Sequence, residues 1–373
     1  MASVDVAVVG AGITGLAVAR ELTARGHGVT VVDKAGIGAG ASGVQPGGVR
    51  QQWGTRVACR LARESVAFWR DATERLESRL PLVLRTGGYL FVAQSDDTLE
   101  RLAANVRLQN EEGVPSRIVT PEEAAELVPD LRAEAIAGGA WCSEDGYFDH
   151  PQRVVEAFAA GLDVRLAAVA RVRPHSGHWR LELADGETLD AQTTVVAAGV
   201  DTPELLAPLG VDVPIAAEER YLFLSEPIAD RLLEPLVVAP ELRLAAKQLA
   251  DGRVLASDLS ARGDPERHQQ RWRATIRAGI DELLPRLAYV SYSTLLRGVY
   301  DVTPDHQPIL GPVPGHESLF VAAGFSGHGF MIAPAVARLI ADAVVSRLDH
   351  EMLGVLGIER FAAGRLVPEP QLV

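Results

Sequence analysis

The residues whose types and spacing point most directly to chemistry form a glycine-rich turn near the start of the chain. Glycines spaced G-x-G-x-x-G at residues 10–15 follow an apolar run at residues 4–9, and Asp33 ends the next apolar run. In this pattern the first glycine permits a tight turn, the second lets backbone N–H groups approach a pyrophosphate, and the third lets a helix pack on the strand. The helix N-terminus attracts phosphates, and the Asp33 carboxylate would accept hydrogen bonds from a ribose. The pattern predicts a dinucleotide-binding βαβ unit.

A second glycine-rich stretch, at residues 36–43, comes directly after Asp33, and Gly47 and Gly48 follow shortly afterwards. A nicotinamide-binding domain usually continues into a crossover helix at this point. Glycine is needed where backbone passes close to a ligand. The second stretch therefore favours FAD, with the chain wrapping the far side of the diphosphate and passing under the isoalloxazine ring.

A third glycine-rich turn, at residues 324–330, follows the apolar run at residues 320–323. A helix that begins near Gly327 would aim free N–H groups at N1 and O2 of a flavin, where the reduced ring carries negative charge. His328 lies in this turn. It is a candidate base, and equally a candidate element of shape and hydrogen bonding.

Strands and helices must position these turns. Short apolar and aromatic runs predict strands at residues 88–92 and 221–224, and helical periodicity predicts helices at residues 98–110 and 265–284. Pro151 after His150 predicts the start of another helix. Residues 366–370 are expected to form a flexible tail.

Composition limits the classes of function. The chain has 373 residues, enough for two domains, and its 47% hydrophobic and 23% charged content is that of a soluble globular enzyme. A formal net charge of −13 argues against nucleic acid or an anionic membrane as partner. Two cysteines make no disulfide framework, which favours the cytoplasm, and no apolar run is long enough for a membrane span. No metal-ligand spacing, Walker sequence or nucleophile elbow is present, so no metal is expected.

The blocks in this order resemble the D-amino-acid oxidase superfamily of FAD-dependent amine oxidoreductases. Within it, the branch of glycine oxidase, sarcosine oxidase and the β subunits of sarcosine oxidase and proline dehydrogenase is most similar. The blocks that carry the resemblance are residues 10–15 with Asp33, 38–43, 48–53, 195–199, 303–305, 308–311 and 324–330. The resemblance implies an α/β plus α+β fold. It implies a discontinuous Rossmann-type FAD-binding domain at residues 1–80, 145–215 and 296–373. Residues 81–144 and 216–295 would form a mostly antiparallel substrate domain.

The resemblance also implies which residues contact FAD. They are Gly10, Gly12, Ile13, Thr14, Gly15, Asp33, Lys34, Gly40, Ala41, Ser42, Gly48, Val49, Arg50, Val169, Ala198, Gly199, Gly298, Gly324, Gly327, His328, Gly329, Phe330 and Met331. FAD is expected to bind noncovalently. Gly298 stands where monomeric sarcosine oxidase-like enzymes have the attaching cysteine, and no histidine occurs between His27 and His150.

The candidate catalytic residues are Arg50, Lys247, His328, Tyr300 and Arg297. The resemblance places Arg50 beside the flavin, and it aligns Tyr300 with the arginine that binds the substrate carboxylate in glycine oxidase-like members. The basic anchors of monomeric sarcosine oxidase would fall near Trp53 and Met331, which are not basic. A carboxylate anchor would then come from Arg50, Lys247, Arg297 or Arg243. Lys247 also stands out because the chain has only one other lysine, Lys34.

The expected activity is oxidation of a C–N bond in a small amine or amino acid, with hydride transfer from the α-carbon to flavin N5 and hydrolysis of the imine. Oxygen or an electron carrier would accept the electrons. Three alternatives stay open: a tailoring oxidoreductase for a larger amine-containing metabolite, the FAD subunit of a hetero-oligomeric dehydrogenase that needs a partner subunit, and a non-catalytic flavin-binding assembly factor.

Overall fold

The computed structural model describes residues 2–346 and 350–370. The strands among them are β1 (Ala2–Val9), β2 (Val29–Asp33), β3 (Gly48–Val49), β4 (Leu84–Arg85), β5 (Tyr89–Ala93), β6 (Arg117–Val119), β7 (Gly138–Cys142), β8 (Gly146–Phe148), β9 (Asp163–Leu166), β10 (Val169–His175), β11 (His178–Leu183), β12 (Thr188–Val196), β13 (Ala216–Leu224), β14 (Leu236–Ala239), β15 (Leu244–Gln248), β16 (Val254–Asp258), β17 (Thr294–Val302), β18 (Ile309–Val313) and β19 (His316–Ala323). The helices are α1 (Ile13–Ala24), α2 (Ala41–Val44), α3 (Arg56–Arg70), α4 (Ala72–Arg75), α5 (Asp96–Glu111), α6 (Pro121–Leu127), α7 (Pro151–Ala159), α8 (Thr202–Leu206), α9 (Pro265–Leu283), α10 (Gly329–Ser346), α11 (Glu351–Leu356) and α12 (Glu359–Ala362).

The first sheet is built around β1, which pairs in parallel with β2 and with β12. Its strand order is β10-β11-β12-β1-β2-β9, and β19 and β18 continue it beside the end of β12. Both faces of β1 are buried, as in a doubly covered sheet. Val6 and Val8 face the layer of α1, α3, α7 and α10, whereas Ala7 and Val9 face the opposite cluster.

The second sheet has the order β17-β13-β16-β15-β14-β5-β7-β6 and is antiparallel except between β14 and β5. Tyr221 and Phe223 of β13 turn to one face, where they pack with Trp272 of α9 in a hydrophobic cluster. The opposite face is covered partly by α5 and otherwise borders a cavity. A small third sheet has the order β3-β8-β4, and its strands occur in sequence between strands of the two larger sheets.

The predicted fold class is confirmed, and so are the main elements. The helices expected at residues 98–110 and 265–284 are α5 and α9, the helix opened by Pro151 is α7, and the predicted strands are β5 and part of β13. The domain boundaries stay a prediction. β17 pairs along its whole length with β13 and so crosses the boundary proposed at residue 296. Residues 1, 347–349 and 371–373 of the proposed FAD domain lie outside the described residues.

Helix α10 has the length and apolarity of a membrane span, with a mean hydropathy of 1.6. However, 61% of it is buried inside the structure, where it packs against α1 and α3. A largely apolar helix that is mostly buried against other elements is typical of a protein core. Its composition is therefore explained by its place under the first sheet.

The prediction of a flexible tail at residues 366–370 is wrong. Glu369 is only 3% exposed, and its carboxylate accepts hydrogen bonds from the Gly54 N–H at 2.7 Å and the Thr55 hydroxyl at 2.9 Å. These two residues precede α3, whose first N–H groups have no acceptor within the helix. The polar, proline-rich composition of the segment suggested disorder, but partners far away in sequence hold it in place.

A buried ion pair anchors the same end of the chain. Arg360 of α12 donates to both carboxylate oxygens of Asp305, at 2.8 and 3.0 Å, and both side chains are almost fully buried. Burial alone would raise the pKa of Asp305, but the hydrogen bonds from Arg360 hold it below its usual range. The pair joins α12 to the turn after β17.

Replacing Arg360 with alanine is expected to lower the free energy of unfolding by about 3–5 kcal/mol, because it leaves the Asp305 charge buried without its cation. Arg338→Ala is the control, since Arg338 forms an exposed ion pair with Glu64 and should cost less than about 1 kcal/mol. Urea unfolding of the two variants measures the difference. Equal losses would contradict the structural importance of the buried pair.

Candidate functional site

A cavity of about 770 Å³ lies where the carboxyl ends of β1, β2 and β12 meet the open face of the second sheet. Ligands of open α/β sheets bind at the carboxyl ends of the strands, where backbone groups are not used within the sheet. Here the second sheet covers the carboxyl ends of these strands. One cavity is therefore bordered by backbone-rich turns on one side and by strand side chains on the other.

The first glycine turn is shaped by backbone contacts. Gly10 has φ of +110°, and a Cβ there would lie 2.3 Å from the carbonyl oxygen of Ala197. A Cβ at Gly15 would lie 2.0 Å from the carbonyl oxygen of Gly10, so α1 packs directly on the turn. Gly12, Ile13 and Thr14 line the cavity. The N-terminal end of α1, with its free N–H groups and positive dipole end, thus opens onto the cavity.

Asp33 and Ser42 hold this turn in place. One Asp33 oxygen accepts the Ala11 N–H at 2.7 Å, and the other accepts the Ala35 and Gly36 N–H groups at 2.8 Å each. The Ser42 hydroxyl accepts the Ile13 N–H at 2.9 Å. Asp33 therefore keeps lone-pair capacity for a ribose hydroxyl, and it also ties the first glycine turn to the second.

Arg50, Trp53 and His328 stack beside the third glycine turn. The guanidinium carbon of Arg50 lies 3.6 Å from the centre of the Trp53 ring, and the Trp53 and His328 rings meet edge to face at 4.1 Å. Burial, followed by the charge of Arg50, lowers the pKa of His328 well below its usual range. The imidazole is therefore neutral at neutral pH and a poor proton acceptor, which favours the shape and hydrogen-bonding role for His328.

Arg50 is itself enclosed. It is 2% exposed, its Nη1 donates to the Gln52 carbonyl oxygen at 2.8 Å, and burial lowers its pKa while Tyr89, Glu369 and Asp145 raise it. A cation buried this deeply needs negative partners. The two carboxylates supply them, one from the turn after β7 and one from the C-terminal segment.

Asp145 was not found by sequence reasoning. It is fully buried and accepts the Gln51 N–H at 2.8 Å and Gln52 Nε2 at 3.1 Å. Burial raises the pKa of Asp145 to about 6. No motif surrounds Asp145 in sequence, so nothing local distinguishes it from an ordinary turn aspartate.

The face of the second sheet that borders the cavity carries polar side chains. The register pairs Arg220 of β13 with Gly298 of β17, and Glu218 with Tyr300, so these four residues share one face. The Tyr300 ring packs directly on Gly327 of the third glycine turn, where a Cβ would lie 2.3 Å away. β17 thus places Tyr300 against the turn that contains His328.

Lys247 of β15 lies on the same side of the cavity and is 1% exposed. Its Nζ donates to the carbonyl oxygen of Pro46, just after the second glycine-rich stretch, and lies 4.2 Å from the centre of the Tyr147 ring. Burial lowers the pKa of Lys247 to about 7. At neutral pH its amine is therefore divided between the charged and the neutral form.

The structure brings most of the predicted site residues to this one cavity. Those that line it are Gly10, Gly12, Ile13, Thr14, Asp33, Lys34, Gly40, Ala41, Ser42, Gly48, Arg50, Val169, Ala198, Gly199, Lys247, Arg297, Gly298, Tyr300, Gly327, His328, Gly329, Phe330 and Met331. Gly15, Val49, Gly324 and Arg243 do not line it.

Two of the predicted residues differ from expectation in detail. Arg297 reaches the cavity wall, but it lies one position from Gly298, so its side chain turns to the opposite face and forms an ion pair with Glu219. Arg243 lies in the turn between β14 and β15. Alternation along β13 could have indicated Arg220, which lines the cavity and was missed.

The cavity suits a dinucleotide. Its volume is in the range of cofactor sites. Gly40 lines it, yet a Cβ at Gly40 would meet no atom of the described chain within 4 Å, so the space in front of it is open. Nε2 of Gln45 is buried at the cavity wall without a partner among the described residues. A buried donor without an acceptor is costly, and a ligand rich in phosphate and carbonyl oxygens would satisfy it.

Comparisons with known proteins agree with this geometry. The family described as "DAO: FAD dependent oxidoreductase" matches residues 5–343. Glycine oxidase of Pseudomonas aeruginosa is 30% identical over 92% of this chain and 95% of that protein. The 4-methylaminobutanoate oxidase (formaldehyde-forming) of Paenarthrobacter nicotinovorans is 26% identical over 95% of this chain and 45% of that protein. The crystal structure of L-proline dehydrogenase from P. horikoshii matches with a TM-score of 0.90 and 26% identity, covering 98% of this chain and 100% of that one. The chain therefore belongs to the DAO family of FAD-dependent oxidoreductases, and its cofactor is FAD.

Proposed function

We propose that this enzyme oxidises the C–N bond of an amino acid or an N-substituted amino acid. Glycine, proline and 4-methylaminobutanoate, which appear in the names of its relatives, each contain an amine and a carboxylate. The observation that carries the proposal is the single cavity, in which the glycine turns face the polar side chains of the second sheet.

The glycine turns would hold FAD noncovalently. The N-terminal end of α1 and Asp33 suit the diphosphate and ribose, and Gly199 and Val169 line the same end of the cavity. Gly298, at the position of the attaching cysteine in related enzymes, has no side chain that could form a covalent bond. When bound, FAD supplies the hydride acceptor.

The chain's own residues orient the amine and manage its proton. An aliphatic amine is mostly protonated at pH 7, and a hydride can leave the α-carbon only when the nitrogen lone pair is free. Lys247 lines the cavity and has a pKa of about 7, which matches the range in which proton transfer is efficient. We infer that Lys247 Nζ accepts the ammonium proton, whereas neutral His328 helps shape the site. Tyr300 and the buried Arg50 line the same cavity.

The proposal is tested by anaerobic spectroscopy of the FAD-loaded protein with glycine, sarcosine, D- and L-amino acids, L-proline and bulkier N-alkyl amines. Bleaching of the flavin bands by one class is expected, and admitting air then separates an oxidase from a dehydrogenase. A protein that none of these compounds bleaches would contradict amine oxidation.

The pH dependence follows from Lys247. Because the neutral amine accumulates above a pKa of about 7, kcat/KM should rise as the pH increases through 7. Lys247→Met should move this rise to the higher pKa of the substrate amine and lower kcat/KM by about 10²–10⁴-fold at pH 8. Lys34→Met is the control, because Lys34 is the other lysine, is exposed and pairs with Asp201, and it should keep the rise near pH 7. If the inflection near pH 7 survives in Lys247→Met, the proton goes to another group.

The effect of Gly40 on cofactor binding can be measured separately from its effect on folding. Since a Cβ there meets no chain atom and φ is −85°, Gly40→Ala should unfold like the wild-type apoprotein. If FAD occupies the space in front of Gly40, its dissociation constant should rise several-fold, as measured by quenching of flavin fluorescence. Gly15→Ala, whose Cβ would overlap the Gly10 carbonyl, should instead destabilise the apoprotein itself.

A further inference from the structure

Arg220 is the feature of the cavity wall that the mechanism above does not use. Its side chain is 22% exposed, and its guanidinium carbon lies 5.0 Å from the centre of the Tyr300 ring. Its cross-strand neighbour is Gly298, over which the Val44 side chain packs. The guanidinium is partly desolvated, lies over an aromatic ring and belongs to a residue that lines the cavity.

The other cations at the cavity are engaged differently. Lys34 is exposed and pairs with Asp201. Arg50 is buried against Trp53 and lies among carboxylates. Lys247 donates to Pro46 and is only partly charged at neutral pH. Arg297 lies on the opposite face of β17 with Glu219.

The charges around Arg220 do not balance. One oxygen of Glu218, Oε1, is shared between Arg220, at 2.5 Å, and Arg262, which also donates to the carbonyl oxygens of Leu259 and Ala261. Two guanidinium groups thus compete for one carboxylate, and the group of three carries one positive charge in excess. Such a site favours a further carboxylate, and a planar guanidinium can bind it with two parallel hydrogen bonds.

We propose that Arg220 binds the substrate carboxylate. In the empty site the Glu218 carboxylate takes the position of that group on Arg220, and it pairs with Arg262 alone when substrate enters. This proposal rests on the proposed amine oxidation. It extends that function by naming a carboxylate as the substrate group that the site recognises. Arg220 lies on β13, the strand that pairs with β17, and its guanidinium carbon lies over the Tyr300 ring.

The test is a titration of the FAD-loaded protein with acetate, followed by the change in the flavin absorption bands, which needs no turnover. Arg220→Ala should raise the dissociation constant of acetate by about tenfold or more, since a hydrogen-bonded charge pair is lost. Arg220→Lys should show a smaller rise. Glu218→Gln should act in the opposite direction and lower the dissociation constant by about two- to fivefold, because it removes the competing carboxylate. This second variant keeps the test informative if Arg220→Ala folds poorly.

Arg267→Ala is the matched control. It removes an arginine that is 81% exposed on α9, so acetate binding should not change. A second comparison uses substrates: wild type should prefer L-proline over pyrrolidine and glycine over methylamine, and Arg220→Ala should lose this preference through KM.

Three results would overturn the anchor. These are no saturable effect of acetate on the wild type, an unchanged dissociation constant in Arg220→Ala, or a larger loss in Arg297→Ala than in Arg220→Ala. If acetate binding depends on Arg220 but no amine reduces the flavin, the proposed oxidation fails and the anion site stands. If amines reduce the flavin but Arg220→Ala changes nothing, the proposed oxidation stands and the anion site at Arg220 fails.

Discussion

The close approach of three backbone segments at Gly10 is the constraint on which the site depends. Gly10 is wedged against the carbonyl of Ala197 after β12, and Gly15 of α1 lies against the carbonyl of Gly10. A side chain at either position would separate the strand from the helix or the helix from the turn. Because these contacts fix α1 relative to β1 and β12, the free N–H groups of the helix are held at the cavity in a set direction.

The two sides of the cavity recognise ligands by different physical means. The glycine turns offer N–H groups and a helix dipole, which need no charged side chain and suit a protein with a net charge of −13. The second sheet offers arginine, lysine and tyrosine side chains at alternate positions of its strands. On the proposed function, the backbone of the glycine turns would hold FAD, and a few side chains on rigid strands would select the substrate.

The C-terminal segment contacts elements on both sides of the cavity. Arg360 pairs with Asp305 in the turn that follows β17, and Glu369 lies ahead of α3, close enough to raise the pKa of Arg50. A buried guanidinium is costly without nearby carboxylates. The last described residues thus act on the charge balance of the site, although they line no part of the cavity.

The sequence by itself determined the fold class, the cofactor and most of the cavity-lining glycines, because the G-x-G-x-x-G pattern and the later glycine stretches report local backbone geometry. The family resemblance also indicated Tyr300. The tertiary structure alone decided which partners the charged side chains at the cavity have. Arg297 and Arg220 are both arginines on neighbouring strands, and only the pairing register and the alternation of faces place Arg297 against Glu219 and Arg220 over Tyr300. The buried environments of Asp145, Lys247 and Glu369 could not be read from the sequence, because hydrogen-bond partners lie 93, 201 and 315 residues away, and no local pattern records them.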